Sequence, residues 1–93
     1  MFDKMKELME MKRKMEEIKK ELDSITLESE DNYVKVGISA SQNVTGVTVK
    51  VDLATADKAR LEASLTETIN RAIRQSQKTA AEKMSKLSLP GMG

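Results

Sequence analysis

The spacing of apolar residues changes twice along this chain, and these changes constrain its fold more than any single motif. In the first segment apolar side chains follow one another at alternating intervals of three and four, at Leu8, Met11, Met15, Ile18, Leu22 and Ile25. This heptad seam, with Lys, Arg and Glu between its members, predicts a helix from about Asp3 to Ser24. The seam covers only about two and a half heptads, so we expect it to pack on the protein's own sheet, on a second copy, or on both.

Beyond Ser24 the apolar spacing falls to two residues, which is typical of strands with one buried face. Three alternating runs follow, separated by polar segments at residues 30–32 and 40–43, with their apolar members at Ile25 and Leu27, at Val34, Val36 and Ile38, and at Val47, Val49 and Val51. The pattern predicts a three-stranded antiparallel meander with a valine-rich face. The two helices are the only candidates to cover that face.

A helical spacing returns from Leu61 onward, with Thr55 or Asp57 as a plausible cap at its start. We therefore predict one α+β domain over residues 1–93. Within it we expect an N-terminal helix over 1–25, a three-stranded antiparallel sheet over 26–52, a long C-terminal helix over 55–87 and a flexible tail over 88–93.

The residue types that enzymes use most often are missing. The chain has no Cys and no His, which removes disulfides, thiolate nucleophiles and most zinc sites, and its four Gly are too scattered for a phosphate-binding loop. Glu28, Glu30 and Asp31 lie close in sequence, but on a strand or turn we expect them to be solvated edge charges rather than metal ligands. The sequence thus predicts a protein that is not an enzyme and has no metal, cofactor or small-molecule substrate.

Size and polarity favour a soluble homodimer. A chain of 93 residues with one Phe, one Tyr and no Trp has little apolar material for a core of its own, so oligomerisation is expected. No segment approaches the roughly 20 apolar residues that a membrane span needs. We expect a cytoplasmic protein without a membrane partner.

The formal charge of +1 conceals an uneven distribution. Residues 1–25 carry seven basic and seven acidic side chains, residues 26–67 carry four and seven, and residues 68–93 carry five and one. On the second helix Arg71, Arg74 and Lys78 fall at positions i, i+3 and i+7, which places them on one stripe. On the first helix two pairs share a face one heptad apart, Lys12 with Lys19 and Arg13 with Lys20.

Composition alone favours an ordinary solvated helix face as the explanation of these basic residues. A cationic stripe without aromatic stacking residues would suit duplex phosphates better than single-stranded bases.

Several short motifs, taken in order, resemble one known family, the YbaB/EbfC nucleoid-associated proteins. They are Met1-Phe2 before a Met-rich helix, VKV at 34–36, VTVKVD at 47–52, NRAI at 70–73, EKM at 82–84 and LPG at 89–91. Two segments depart from the family pattern. Glu30-Asp31-Asn32 stands where a glycine-rich hairpin is usual, and Ala40-Ser41 stands where a glycine is usual.

The resemblance implies a bacterial homodimer of the nucleoid, with helix, three strands and helix, that holds double-stranded DNA between projecting helices. By position it points to seven DNA-binding residues: Lys12, Arg13, Lys19, Lys20, Arg71, Arg74 and Lys78. An alternative from another class remains open, a protein-interaction or assembly factor that grips a partner helix with the Met-rich first helix. Five Met lie in that helix, at Met1, Met5, Met9, Met11 and Met15.

Overall fold

A computed structural model describes residues 2–86, and it confirms the predicted α+β architecture. The elements are helix α1 (Phe2–Ser24), strands β1 (Thr26–Glu30), β2 (Val34–Ser39) and β3 (Val44–Val49), and helix α2 (Lys58–Lys86). The strands form one antiparallel sheet in the order β1-β2-β3. Leu87 and the expected flexible tail at 88–93 lie outside the described residues. Neither helix in the described part of the chain is long and apolar enough to cross a membrane.

Helix α2 begins at Lys58, later than the expected residue 55. Asp57 is the residue that caps it, since its Oδ1 accepts a hydrogen bond from the backbone N–H of Arg60 at 3.2 Å. Thr55 lies in a turn instead, because its N–H and that of Ala56 both donate to the carbonyl of Asp52. Because these two N–H groups are bonded within the turn, residues 55 and 56 are not part of the helix, which starts after Asp57.

Strand β3 starts earlier than the alternation of valines predicts, at Val44 rather than at about Val47. Val47 pairs with Val36, whereas Val44 pairs with Ile38 across a register shift between Gly37 and Ile38. This irregularity inserts one extra residue, so Val44 reaches the same face as Val47 although three positions separate them.

Helix α2 lies on the sheet through a buried row of small side chains spaced four residues apart, Ser64, Thr68, Ala72 and Ser76. At the centre of this row Ala72 joins Val36 and Ile38 in the core cluster. Small side chains let the helix approach the sheet closely. The three polar members then need hydrogen-bond partners, because burying an unpaired hydroxyl costs about 1 to 3 kcal/mol.

The first polar contact, which we call the Asp31 clasp, joins the β1–β2 turn to the start of the row. Asp31 is half-buried, so the expectation of a solvated edge charge is wrong for this residue. Its Oδ2 accepts hydrogen bonds from the hydroxyls of Ser64 and Thr68, and its Oδ1 accepts from the N–H groups of Tyr33 and Val34 at 2.8 and 2.9 Å. These donors, Ser64 above all, lower the pKa of Asp31 to about 2.

The second polar contact, the Ser76 clasp, joins the other end of the row to the β2–β3 turn. Ser76 Oγ donates to the carbonyl of Ser39 at 2.7 Å and accepts from the N–H of Gln42 at 3.1 Å. Gln42 has a left-handed backbone with φ of 67°. The helix therefore holds both ends of β2, and it covers β1 and β2.

The valine-rich face is only partly covered, and α1 contributes little to the cover. All of β3 is exposed, including Val47 at 47%. Helix α1 is exposed throughout residues 3–17 and contacts β2 only sparsely. The two helices were expected to share the cover of this face. Instead α2 alone covers it, and only over β1 and β2.

Both helices are longer than the sheet they accompany. The buried row spans about 18 Å, close to the length of a six-residue strand, whereas all 29 residues of α2 span about 43 Å. Residues 77–86 therefore extend beyond the sheet, and the C-terminal part of α1 lies beside them, where Glu21 pairs with Lys83. We call this projection, residues 3–24 and 77–86, the arm. It explains a radius of gyration of 18.7 Å, where a compact chain of this length would have about 12 Å.

The low pKa of Asp31 predicts a pH dependence of stability. A carboxylate whose pKa is lower in the folded than in the unfolded chain stabilises the fold above the unfolded value, and this contribution is lost as the pH falls towards about 2. We expect Asp31→Asn to unfold at lower urea concentration than the wild type at pH 7, with the difference narrowing from about pH 5 towards pH 3. Urea titrations across this range give the measurement. A difference that stays constant with pH would contradict the role of the ionised carboxylate.

Candidate nucleic-acid interface

Helix α1 presents its four predicted DNA-binding side chains to solvent. Lys12, Arg13, Lys19 and Lys20 are all exposed. Lys19 also borders the groove between α1 and α2, so it is the member of this set placed next to the second helix. The charges needed to meet a phosphate backbone are therefore available on the arm.

The three predicted cations of α2 divide into two environments. Arg74 and Lys78 are exposed, and Lys78 lines a groove beside β1 whose walls include Glu28 and Glu82. Arg71 is half-buried, and its guanidinium donates a long hydrogen bond of 3.4 Å to the carbonyl of Glu30. Of the three cations expected on one stripe, Arg71 thus points towards the β1–β2 turn.

Ion pairs in the described residues use other lysines. Lys35 meets Glu28 at 3.2 Å, Lys50 meets Glu30 at 2.8 Å, Lys58 approaches Glu62 at 3.9 Å and Lys83 meets Glu21 at 3.0 Å. The contact with Lys50 lowers the pKa of Glu30. Within residues 2–86, none of the seven predicted DNA-binding cations takes part in such a pair, so their charges are not neutralised by a direct acidic partner.

The arm is held together by a small apolar groove and one ion pair. The groove, of about 310 Å³, is lined by Met15, Ile18 and Leu22 of α1, by Ala80 and Met84 of α2, and by the loop at residues 40–42. Glu21 and Lys83 add an exposed charge pair across the two helices. Isolated exposed ion pairs stabilise by at most about 1 kcal/mol, so this pair alone holds α1 to α2 only weakly.

A second apolar surface lies beside α2, and we call it the trough. Arg71 marks the flank of α2 that faces β1, and residues two positions away lie on the opposite flank, towards β3. That flank carries the half-buried Leu65, Ile69 and Ile73, and the strand beside it carries Val44, Val47 and Val49, which are 40 to 47% exposed. These six residues form the trough.

Some residues of these surfaces are missing from the sequence prediction. Lys6 is exposed and lies one heptad before Arg13, so the heptad spacing itself contains the signal for it. Lys83 pairs with Glu21 across the arm, and these two residues are 62 positions apart, which no local pattern reveals. In the described part of the chain no cluster of three or more His, Cys, Asp or Glu could hold a metal ion.

Comparison with known proteins identifies the class. A model described as the YbaB/EbfC DNA-binding family matches residues 1–92. The chain is also similar to Nucleoid-associated protein PMM0020 of Prochlorococcus marinus subsp. pastoris (strain CCMP1986 / NIES-2087 / MED4), with 33% identity over 98% of this chain and 83% of the relative. Nucleoid-associated protein P9515_00191 of Prochlorococcus marinus (strain MIT 9515) shows the same identity and coverage.

The match covers nearly the whole chain, so this protein belongs to the YbaB/EbfC DNA-binding family. The family description names a binding activity and not a catalytic one.

Proposed function

We propose that this chain binds double-stranded DNA as a homodimer in the nucleoid, mainly through phosphate contacts from basic side chains of its two helices. The observation that carries the proposal is the exposure of Lys12, Arg13, Lys19, Lys20, Arg74 and Lys78 on a chain of this family. The names of the two Prochlorococcus marinus relatives support the nucleoid as the site of action.

The chemistry of these side chains favours the DNA backbone over the bases. Lysine and arginine on exposed helix faces neutralise phosphates and release counterions, which gives affinity without sequence readout. Aromatic side chains that stack on single-stranded bases are nearly absent, with one Phe and one Tyr in the whole sequence. We expect duplexes of any sequence to bind with similar affinity.

Arg71 has a different part in this proposal. Its hydrogen bond to the Glu30 carbonyl engages only one guanidinium nitrogen, so other donors stay free. Because the side chain is half-buried against the turn, we expect its contribution to DNA affinity to be smaller than that of Arg74.

The DNA proposal predicts a specific change in salt dependence. If each copy in the dimer uses Arg74 on a phosphate, Arg74→Ala lowers the slope of log affinity against log salt concentration by about 2, and weakens random and defined duplexes alike. Lys58→Ala, which removes an exposed cation at the far end of α2, serves as the matched control and leaves the slope unchanged. Fluorescence anisotropy at several salt concentrations measures the affinity and the salt slope of both variants.

Absence of any complex at low salt would contradict DNA binding. It would favour the second candidate, in which α1 grips a partner helix, because Met5, Leu8, Met9 and Met11 are 57 to 71% exposed.

The trough supports the homodimer. The buried apolar residues in the described part of the chain are few and small, namely Val34, Val36, Ile38, Ala40 and Ala72. Beside them the exposed β3 leaves both a row of valines and an edge of unpaired backbone groups, which proteins ordinarily cover. A second copy brings an identical trough and edge, so a twofold axis through this region covers both at once.

A charge placed in the trough tests this interface. Val47 is half-exposed in the protomer, so Val47→Asp leaves the core cluster intact but places a carboxylate where the second copy packs. We expect the dimer dissociation constant to rise by at least about 100-fold, because burying a charge in an apolar contact costs several kcal/mol. Thr48→Asp, on the opposite face of the same strand, is the matched control and remains dimeric. Sedimentation equilibrium, with circular dichroism to verify folding, distinguishes the two.

Either of two results would contradict the dimer arrangement. One is a wild-type protein that stays monomeric at micromolar concentration. The other is a folded Val47→Asp variant that dimerises as tightly as Thr48→Asp.

A further inference from the structure

The arm contains two methionines in a position that the DNA proposal does not use. Met15 of α1 and Met84 of α2 both line the groove that joins the helices, and both stay accessible, at 55% and 44% exposure. Each side chain therefore forms part of the apolar lining between the helices while remaining within reach of a small solute. Ile18 and Leu22, which complete the α1 side of the groove, are half-buried.

Methionine is the sulfur-containing side chain of this protein, since the sequence has seven Met and no Cys. A peroxide oxidises a methionine thioether to the sulfoxide by transferring one oxygen atom to sulfur. With hydrogen peroxide the other product is water, so the step needs no further reactant. The product is polar, and methionine sulfoxide reductases reverse the change.

The position of α1 makes it sensitive to such a change. Residues 3–17 are exposed throughout, so this part of the helix gains little stability from packing within the protomer. Helices of this length are marginal in water without tertiary contacts. Beyond its sparse contacts with β2, α1 is attached through the groove-lining side chains and the exposed Glu21–Lys83 pair. The groove loses apolar surface when its two thioethers become sulfoxides.

We propose that Met15 and Met84 form an oxidation site at which peroxide releases α1 from α2. Oxidation at Met5, Met9 and Met11 has no such effect, because these exposed side chains do not line the groove. Release of α1 follows from the groove alone. Its consequence for DNA rests on the proposed function, since Lys12, Arg13, Lys19 and Lys20 lie on the helix that is released.

Hydrogen exchange combined with mass spectrometry tests the proposal on the full-length protein. The wild type, the Met15→Leu/Met84→Leu variant and the matched Met5→Leu/Met9→Leu control are each treated with hydrogen peroxide, and peptide masses report which methionines have gained oxygen. We expect amide exchange at residues 18–22 to accelerate by at least about tenfold in the oxidised wild type and control, and to stay unchanged in the groove variant.

Two outcomes would overturn the oxidation site. One is a wild type oxidised at both groove methionines that keeps its slow exchange at residues 18–22. The other is a groove variant that loses this protection as readily as the control.

Duplex binding by the same samples separates this proposal from the proposed function. We expect oxidation to weaken the wild type and the control by about fivefold or more, as the phosphate contacts of α1 are lost, and to spare the groove variant. Accelerated exchange in a protein that bound no DNA before oxidation would support the oxidation site and contradict DNA binding.

Discussion

The structure depends on the way α2 lies on the sheet through a narrow row of small, partly polar side chains. Ser64, Thr68, Ala72 and Ser76 let the helix come close, and the two clasps satisfy the polar members by holding the turns at either end of β2. Larger side chains in these positions would hold the helix further from the sheet. This row instead fixes the helix over β1 and β2, and both remaining features of the protein follow from that placement.

The first consequence is the trough, because a helix placed over two strands leaves the third strand bare. The second is the arm, because the row ends at Ser76 and α2 continues to Lys86. The middle and the end of α2 therefore have different surroundings. Its middle leaves an apolar flank that we propose a second copy covers, and its end lies beside α1, whose basic side chains face solvent.

The sequence predicted the parts of the fold that depend on local periodicity, and missed those that depend on distant contacts. Heptad spacing located α1, and the aspartate before the second helical run, Asp57, is the cap of α2. The start of β3 was wrong because alternation cannot anticipate a bulge, and Val44 is out of phase with Val47 unless the register shifts at Gly37. Asp31 resembled a surface carboxylate because its hydroxyl partners lie 33 and 37 residues further along the chain.

In the candidate site, too, local spacing predicted some features, whereas contacts between distant residues determined others. Helix spacing placed Arg71, Arg74 and Lys78 together, but the hydrogen bond that turns Arg71 towards Glu30 spans 41 residues and was not predictable. The pairing of Glu21 with Lys83 is equally remote, so the attachment of α1 to α2 became visible only in the folded chain.

We propose that the exposed basic faces of both helices meet the phosphates of duplex DNA while a second copy covers the trough. Backbone amide NMR of the ¹⁵N-labelled protein, titrated with a random duplex at low salt, tests at residue resolution which of these surfaces meets the DNA. We expect shift changes at residues 12–20 and at Arg74 and Lys78, reversed by added salt, with the amides of β3 unaffected. Shift changes centred on β3, or none on the helices, would contradict it.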